Sequence, residues 1–485
     1  MSIDIRTGDC LDVFAALPEG YLDALVTDPP AGVSFMSRTW DRDHGGRDAW
    51  VAFWAARFAV ARRACKPGAY ALVWALPRTS HWTATALEDG GWFVQDVITH
   101  HFGQGWPKGR SALKPASEHW ILARNGGGGA LQIDACRVAR GAGDVSGWSA
   151  SGSRASANLS MSGANYDRDA KPDNPAGSWP TNLVLSHCPD CEERGSRRVK
   201  GSAPIGPNPG KLGHGGGGRP EPHDYTSPDG TETIPAFACV AACACGATVL
   251  APSGGAAPRC ACGAAMWWAC PVAQMDAQSS ANGMHSAGAA SAGVRRGPQR
   301  SAVYGAHPGA SSRHGDTANG SAASRFFPRF TYQAKASGGE RHAGCEHLYW
   351  RANGDNPFGF DRVTREAWDT LAEADRARGN VHPTVKSLAL MEWLVALATP
   401  PGGRVGDLTA GSGGTGIAVA RLNAVATATG TPPMSFIGAE LCPEAVEIAE
   451  ARLRWWQAVR HDTRPAKVAE PAPAARQASL FGGLR

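Results

Sequence analysis

The chain has 485 residues, a formal net charge of +5 and 43% hydrophobic residues, which excludes a wholly disordered polymer and leaves length for two or three structural units. Gly (60) and Pro (34) fill about a fifth of the positions, against a usual share of about 12%, so long loops or inserted segments are expected. No apolar run approaches the roughly 18 residues of a membrane span. The opening MSIDIRTGDC has no basic end followed by an apolar stretch, so neither a membrane partner nor a secretory leader is expected. A cytoplasmic location follows, where thiols stay reduced, and 13 cysteines then call for metal, catalysis or burial.

In chain order, Asp23–Thr27 reads as a short buried strand ending at Asp28-Pro29-Pro30. Residues 49–65 carry helical apolar spacing, with Lys66-Pro67-Gly68 as the stop. Ala69–Ala75 reads as a strand, Thr79–Glu88 as a helix, and Phe93–His100 and His119–Ala123 as two more strands. Strands separated by helices predict a parallel α/β sheet. Residues 125–180, 195–230 and 283–323 are rich in Gly, Ser, Asn and Pro, with little periodicity. The α/β pattern resumes with helices at Ser387–Ala398, Thr415–Leu422 and Pro443–Val459 and strands at Val405–Leu408 and Phe436–Ala439. The Ala/Pro-rich stretch 463–485 reads as a tail. Neither α/β half is complete alone, so one Rossmann-like sheet assembled from both chain ends, with a large insertion between them, is the expected fold.

Two segments carry chemistry. In Val405-Gly406-Asp407-Leu408-Thr409-Ala410-Gly411-Ser412-Gly413-Gly414 a strand enters a Gly-rich turn that lets the backbone approach a ligand. The segment Phe436–Glu440, about 20 residues past Gly416, then puts an acid at a strand end, where it accepts hydrogen bonds from ribose hydroxyls. In Thr27-Asp28-Pro29-Pro30, the prolines remove two N–H donors. The Asp28 carboxylate and the Pro29 carbonyl are then free to accept from one amino group. Alone, such a tetrapeptide commonly just ends a strand.

Together, in this order, the segments resemble the amino-group DNA methyltransferases of the β class, which use S-adenosylmethionine. The resemblance covers about residues 1–124 and 324–460. It implies a catalytic half at 1–124, a target-recognition region at 125–345, a cofactor half at 346–462 and a tail at 463–485. His382-Pro383-Thr384-Val385-Lys386 matches the family's His-Pro-Thr-x-Lys element, and Thr7-Gly8-Asp9-Cys10 matches the segment whose Asp contacts the cofactor adenine. Phe35–Asp41, Leu113-Lys114-Pro115 and Ala323–Phe327 resemble a phage and prophage branch. The resemblance implies a flipped base held by Asp28, Pro29 and Pro30. It gives a cofactor site of Asp9, Asp28, His382, Thr384, Lys386, Asp407, Thr409, Gly411, Gly413 and Glu440, with Asp407, Gly411 and Gly413 on the methionine side. The family's aromatic after Asp-Pro-Pro is here Ala31, and Thr409 replaces the usual Phe of the cofactor loop. Phe35 or Trp40 can supply a ring instead of Ala31. A catalytically silent DNA-binding protein is the other reading of this departure. Asp before Pro-Pro leans toward adenine N6 over cytosine N4. Family relatives leave a dimer open.

His187-Cys188-Pro189-Asp190-Cys191 is a Cys-x-x-Cys knuckle, and Cys-x-Cys-Gly occurs twice. One or two structural zinc ions are expected, held by Cys188, Cys191, Cys239 and Cys270 and by Cys243, Cys245, Cys260 and Cys262, with Cys239 and Cys243 interchangeable between the sets. Residues 295–341 carry eight basic against two acidic residues, interleaved with aromatics. Arg295, Arg296, Arg300, Arg325 and Arg329 are therefore candidates for a groove that binds double-stranded DNA. A buried strand is expected over Phe326–Tyr332, with its arginines facing out. Gln477-Ala478-Ser479-Leu480-Phe481 resembles the pentapeptide that docks bacterial proteins on the replication sliding clamp, through Gln477, Leu480 and Phe481.

Overall fold

The computed structural model describes residues 2–35, 38–102, 113, 115–138, 179–186, 191–200, 231–252, 257–268, 270–281, 300–301, 305–306, 329–330 and 338–458. The first part of the chain forms β1 (Ile3–Thr7), α1 (Cys10–Ala15), β2 (Leu22–Thr27), α2 (Arg47–Ala64), β3 (Cys65–Ala75), α3 (Ser80–Asp89), β4 (Phe93–Phe102), β5 (Ser117–Arg124) and β6 (Leu183–Ser186). The middle forms β7 (Glu192–Lys200), β8 (Thr231–Ala242), β9 (Thr248–Pro252), β10 (Trp267–Trp268), α4 (Pro271–Ala281) and the two-residue strands β11 (Arg300–Ser301), β12 (Gly305–Ala306) and β13 (Arg329–Phe330). The last part forms α5 (Gly338–His342), β14 (Tyr349–Ala352), β15 (Phe360–Val363), α6 (Arg365–Asp369), β16 (Arg376–Arg378), α7 (Leu388–Ala398), β17 (Arg404–Asp407), α8 (Gly414–Thr429), β18 (Ser435–Glu440) and α9 (Pro443–Ala458).

Two compact units result: Met1–Cys136 with Asn182–Pro189 and Tyr332–Arg485, and Arg137–Thr181 with Asp190–Thr331. The first unit carries an α/β sheet in which strands from the two chain ends interleave. Its order runs β1-β18-β17-β2-β3-β5-β4-β6. Ile3 pairs with Phe436 and Val405 with Ala24, both in parallel. The insertion therefore leaves and re-enters a single sheet. Five of the six β2 residues are buried, as a parallel strand covered on both faces requires. Trp50, Trp54, Phe58 and Ala61 form the buried stripe of α2, at the spacing of one helix face.

The sheet departs from the all-parallel expectation at β5, which runs antiparallel between β3 and β4. α3 supplies the crossover from β3 to β4, and β5 fills the gap left between them. The Lys66-Pro67-Gly68 stop also lies elsewhere than expected. α2 ends at Ala64 and β3 begins at Cys65. Pro67 is accommodated because pairing with β2 skips from Cys65 to Tyr70, so no ladder donor is missed there. α8 runs past Leu422 to Thr429, where Gly430 in the left-handed region at φ 71° caps it. Of Phe326–Tyr332 only Arg329 and Phe330 are described, and both are strand; the rest of that expected strand lies outside the described residues. A small antiparallel sheet, β15-β14-β16, has no counterpart in the sequence reading. It packs Leu348, Trp350 and Phe358 against Ala445, Ile448 and Ala451 of α9.

In the second unit β8 is the central strand. It pairs antiparallel with β7, β9 and β10. Among the described residues no helix is long and apolar enough to cross a membrane.

Candidate functional site

β2 and β17 are neighbours in the sheet, and their carboxyl ends open on one crevice. Ligands of open α/β sheets bind at such a place, where strand order reverses. β2 delivers Asp28-Pro29-Pro30 and β17 delivers Asp407 and the Gly-rich turn. The two turns are tied directly: Thr27 Oγ1 lies 3.0 Å from Thr409 Oγ1 and accepts from the Leu408 N–H at 3.2 Å. Thr409 thus latches the two loops, a role that its place in the Gly-rich turn did not suggest. The cavity here has a volume of about 1560 Å³ and is lined by Asp9, Asp28, Lys386, Asp407, Glu440 and the Gly411 backbone, among others. That exceeds the roughly 300–1,000 Å³ of a pocket for one small molecule.

Beside the Gly-rich turn, Glu440 accepts from the Gly411 N–H at 2.8 Å and the Cys442 N–H at 2.9 Å. Burial pushes its carboxyl up against these donors. Asp407 accepts from the Thr415 hydroxyl at 2.6 Å and the Thr409 N–H at 3.0 Å. Burial outweighs both and pushes it up to about 6. Gly411 has φ 52°, and a Cβ there would stand 3.2 Å from the His382 ring, so the turn admits glycine. Gly413, at φ 81°, would set a Cβ 3.1 Å from Ala449 of α9. His382 is brought down to about 4 by burial and the nearby Arg341 charge, so it is a neutral ring at physiological pH. Asp9 caps α1 by accepting from the Leu11 N–H at 2.9 Å and pairs with Arg57 at 2.7 Å. Burial pushes its carboxyl up, but these two partners bring it below the usual range.

Lys386 sits beside the carboxyl end of β2. Its Nζ is 3.0 Å from Asp28 and 3.8 Å from Glu118, and 3.9 Å from the centre of the Trp74 ring. Burial raises the Asp28 carboxyl, and Lys386 opposes that rise. Burial also acts on Glu118, but Lys386, His100 and Trp74 overcome it and hold its carboxyl at about 2. Trp74 donates its indole N–H to Glu118 at 2.7 Å, and His100 bridges Glu118 and Ser186 at 2.8 and 2.7 Å.

Sequence reasoning missed Glu118, Trp74, His100, Arg57 and Asp41. Asp41 is buried and accepts from the Gly32 and Phe35 N–H groups at 2.9 and 2.7 Å. It folds the loop after Pro30 back on itself. The available signal was a carboxylate inside an apolar strand at Glu118, and one beside Trp40 at Asp41. Arg341, counted in the basic stretch, instead donates to the Asn380 and His382 carbonyls and fixes the segment before Lys386.

In the second unit, the Sγ atoms of Cys243, Cys245, Cys260 and Cys262 converge, as do those of Cys191, Cys239 and Cys270. The expected fourth member of the second set, Cys188, lies outside the described residues, as do Arg295, Arg296, Arg325, Gln477, Leu480 and Phe481. Arg300 and Arg329 fall in short strands whose side chains are not described.

Residues 312–451 match the family model N6_N4_Mtase, described as DNA methylase. The matched span carries His382, Lys386, the Gly-rich turn and Glu440, and does not include Asp28. This part of the chain is thus similar to a DNA methylase domain. No curated protein matches the chain. Among solved structures, the cytosine-N4-specific PvuII DNA methyltransferase is 11% identical, covering 93% of this chain and 86% of its own, at TM-score 0.40. M1.HpyAVI complexed with S-adenosylmethionine is 13% identical over 93% and 100%, at 0.32. A candidate DNA modification methylase of Thermus thermophilus, complexed with S-adenosyl-L-methionine, is 11% identical over 94% and 96%, at 0.33. At this level of likeness the fold is read from the chain's own strand order.

Proposed function

We propose that the protein is a DNA methyltransferase that moves a methyl group from S-adenosylmethionine to the exocyclic amine of a flipped base, adenine N6 in the first instance. The observation that carries this reading is the convergence of Asp28-Pro29-Pro30 with the Gly-rich turn and Glu440 on one cavity at the carboxyl ends of β2, β17 and β18. The DNA methylase match over residues 312–451 supports it independently.

The residues fit such a cofactor: Glu440 and Asp407 are acceptors beside a turn open enough for close backbone approach, and Asp407 is buried. When bound, S-adenosylmethionine supplies a methyl on an electrophilic sulfonium. Asp28 and the Pro29 carbonyl would accept the two amine hydrogens and aim the nitrogen lone pair along the transfer line, so that positioning carries much of the rate. As the amine nitrogen took the methyl, the Asp28 carboxylate would take up the proton that the nitrogen gives up. A base paired in the duplex cannot reach Asp28, so flipping precedes the step.

Asp28 before Pro-Pro favours adenine; cytosine N4 shares the same chemistry. Transfer of labelled methyl to duplex DNA by the wild-type chain and its loss in Asp28→Ala tests the reading, and nucleoside chromatography of the product assigns the base. Tight DNA binding without transfer to any duplex would overturn it in favour of a silent DNA-binding protein. Two further parts of the proposal stand apart from the chemistry. Gln477, Leu480 and Phe481 would dock the sliding clamp, tested by loss of clamp pulldown in Leu480→Ala/Phe481→Ala. Zinc is the proposed ion of the cysteine clusters, argued next for the cluster whose four members are all described.

A further inference from the structure

The middle of the chain contains the pentapeptide Cys-Ala-Cys-Gly-Ala twice, at 243–247 and 260–264. Both copies fold alike. In the first, Cys243 N–H donates to the Ala247 carbonyl at 2.9 Å and Gly246 N–H to the Cys243 carbonyl at 2.9 Å. In the second, Cys260 N–H donates to Ala264 at 3.0 Å and Gly263 N–H to Cys260 at 2.9 Å. Gly246 and Gly263 adopt φ 88° and 84°, which only glycine takes without strain. The first turn is the tip of the β8–β9 hairpin, and the second is closed by the Arg259–Ala265 bridge.

The two tips face each other through sulfur. Cys243 Sγ is 3.6 Å from Cys262 Sγ, and Cys245 Sγ is 3.6 Å from Cys260 Sγ. The first cysteine of each turn thus meets the second of the other, and all four Sγ atoms lie within 4.8 Å of one another. A disulfide needs about 2.05 Å. Four thiolates about 2.3 Å from one ion at tetrahedral angles stand about 3.8 Å apart. The two 3.6 Å separations are close to that edge.

Apolar packing does not account for the juxtaposition. Between the cysteines each turn has only Ala, and of the neighbouring residues Val249, Leu250 and Trp267 are exposed while Met266 and Trp268 are buried. Something other than burial must hold two such turns together, and a metal ion contributes that free energy directly. We propose that Cys243, Cys245, Cys260 and Cys262 form a structural site for a soft tetrahedral divalent cation, zinc, which clips the β8–β9 hairpin to the 259–265 turn. All four positions are filled by protein sulfur, so the site has no open coordination place and is structural. It is separate from the trio Cys191, Cys239 and Cys270, whose members are all buried, and it does not depend on the methyl-transfer reading.

The full-length chain, purified without chelator, is compared with Cys245→Ser/Cys262→Ser by elemental analysis. A loss of one zinc per chain is expected, and an unchanged zinc content overturns the proposal. A second measurement needs no variant. Cys245 and Cys262 are exposed, so as free thiols they would alkylate readily. Bound, they should react with iodoacetamide about tenfold or more slowly than after chelation. Prompt alkylation of the untreated chain overturns the site, as does an intact mass showing two disulfides in its place.

Discussion

Replacing Lys386 by Met should shift the acid limb of methyl transfer to higher pH. Lys386 is 16% exposed and lies 3.0 Å from Asp28 and 3.8 Å from Glu118. With an effective dielectric of 20, these separations correspond to about 5.5 and about 4.4 kcal/mol of gross attraction. Desolvation cancels much of that, and losing one partner of a buried pair costs about 3–5 kcal/mol net. Met fills a similar volume without the charge, leaving two carboxylates on one cavity wall. Glu118 keeps His100 and Trp74; among these groups Asp28 keeps no cation. Burial already raises the Asp28 carboxyl against Lys386, so removing Lys386 raises it further. In the proposed reaction Asp28 works as a carboxylate, a state present above its pKa and lost as pH falls through it. The acid limb of kcat/KM for labelled methyl transfer should therefore move upward in Lys386→Met and stay near wild type in Lys386→Arg. Superimposable profiles for Met and wild type would refute the electrostatic link between the two residues.

Asp407 is held up at about 6 by burial, and the cofactor's methionine ammonium would favour its ionised form. Calorimetric affinity for S-adenosylmethionine should rise as pH climbs through about 6 and lose that dependence in Asp407→Asn; equal slopes would remove Asp407 from the site. Asp41→Asn turns an amide donor toward one of the Gly32 and Phe35 N–H groups, so the melting transition should fall by the equivalent of about 1–3 kcal/mol and transfer should weaken. An unchanged melting point would show that the loop stands without it.

The parts legible in the sequence were those written locally. The strand–turn–helix at 405–416 announces itself through apolar spacing and glycine, and so does the Asp28-Pro29-Pro30 strand end. β5 is recognisable as a strand but not as the antiparallel one, because its direction depends on the space that α3 leaves between β3 and β4. The meeting of Lys386 with Asp28 joins residues 358 positions apart, and no periodicity reports it. Asp41 escaped because its job, satisfying two N–H groups of a non-repetitive loop, has no spacing signature. The cysteine tetrad was legible as a candidate because a duplicated Cys-x-Cys-Gly is itself a local pattern; its four sulfurs lie together, and the ion they would hold is a proposal.

Ala31 takes on a different meaning once its loop is seen folded. It is buried, and the residue after it, Gly32, has φ 71° with the Trp50 ring 2.6 Å from where a Cβ would be. The chain therefore turns sharply away immediately after Asp28-Pro29-Pro30, and Asp41 holds the turn. An aromatic side chain at position 31 would have to compete for space in that bend. The same bend returns Phe35 and Trp40 to the cavity wall, where Trp74 also lies. One face of Trp74 is already covered by the Lys386 ammonium, so in the proposed reaction Phe35 and Trp40 are the rings this loop offers to a flipped base. Stacking on one of them would be worth about 1–3 kcal/mol, the contribution that Ala31 does not make. The departure at position 31 thus reads as a relocation of the stacking surface within one loop, and it argues less for a silent site than the tetrapeptide alone would.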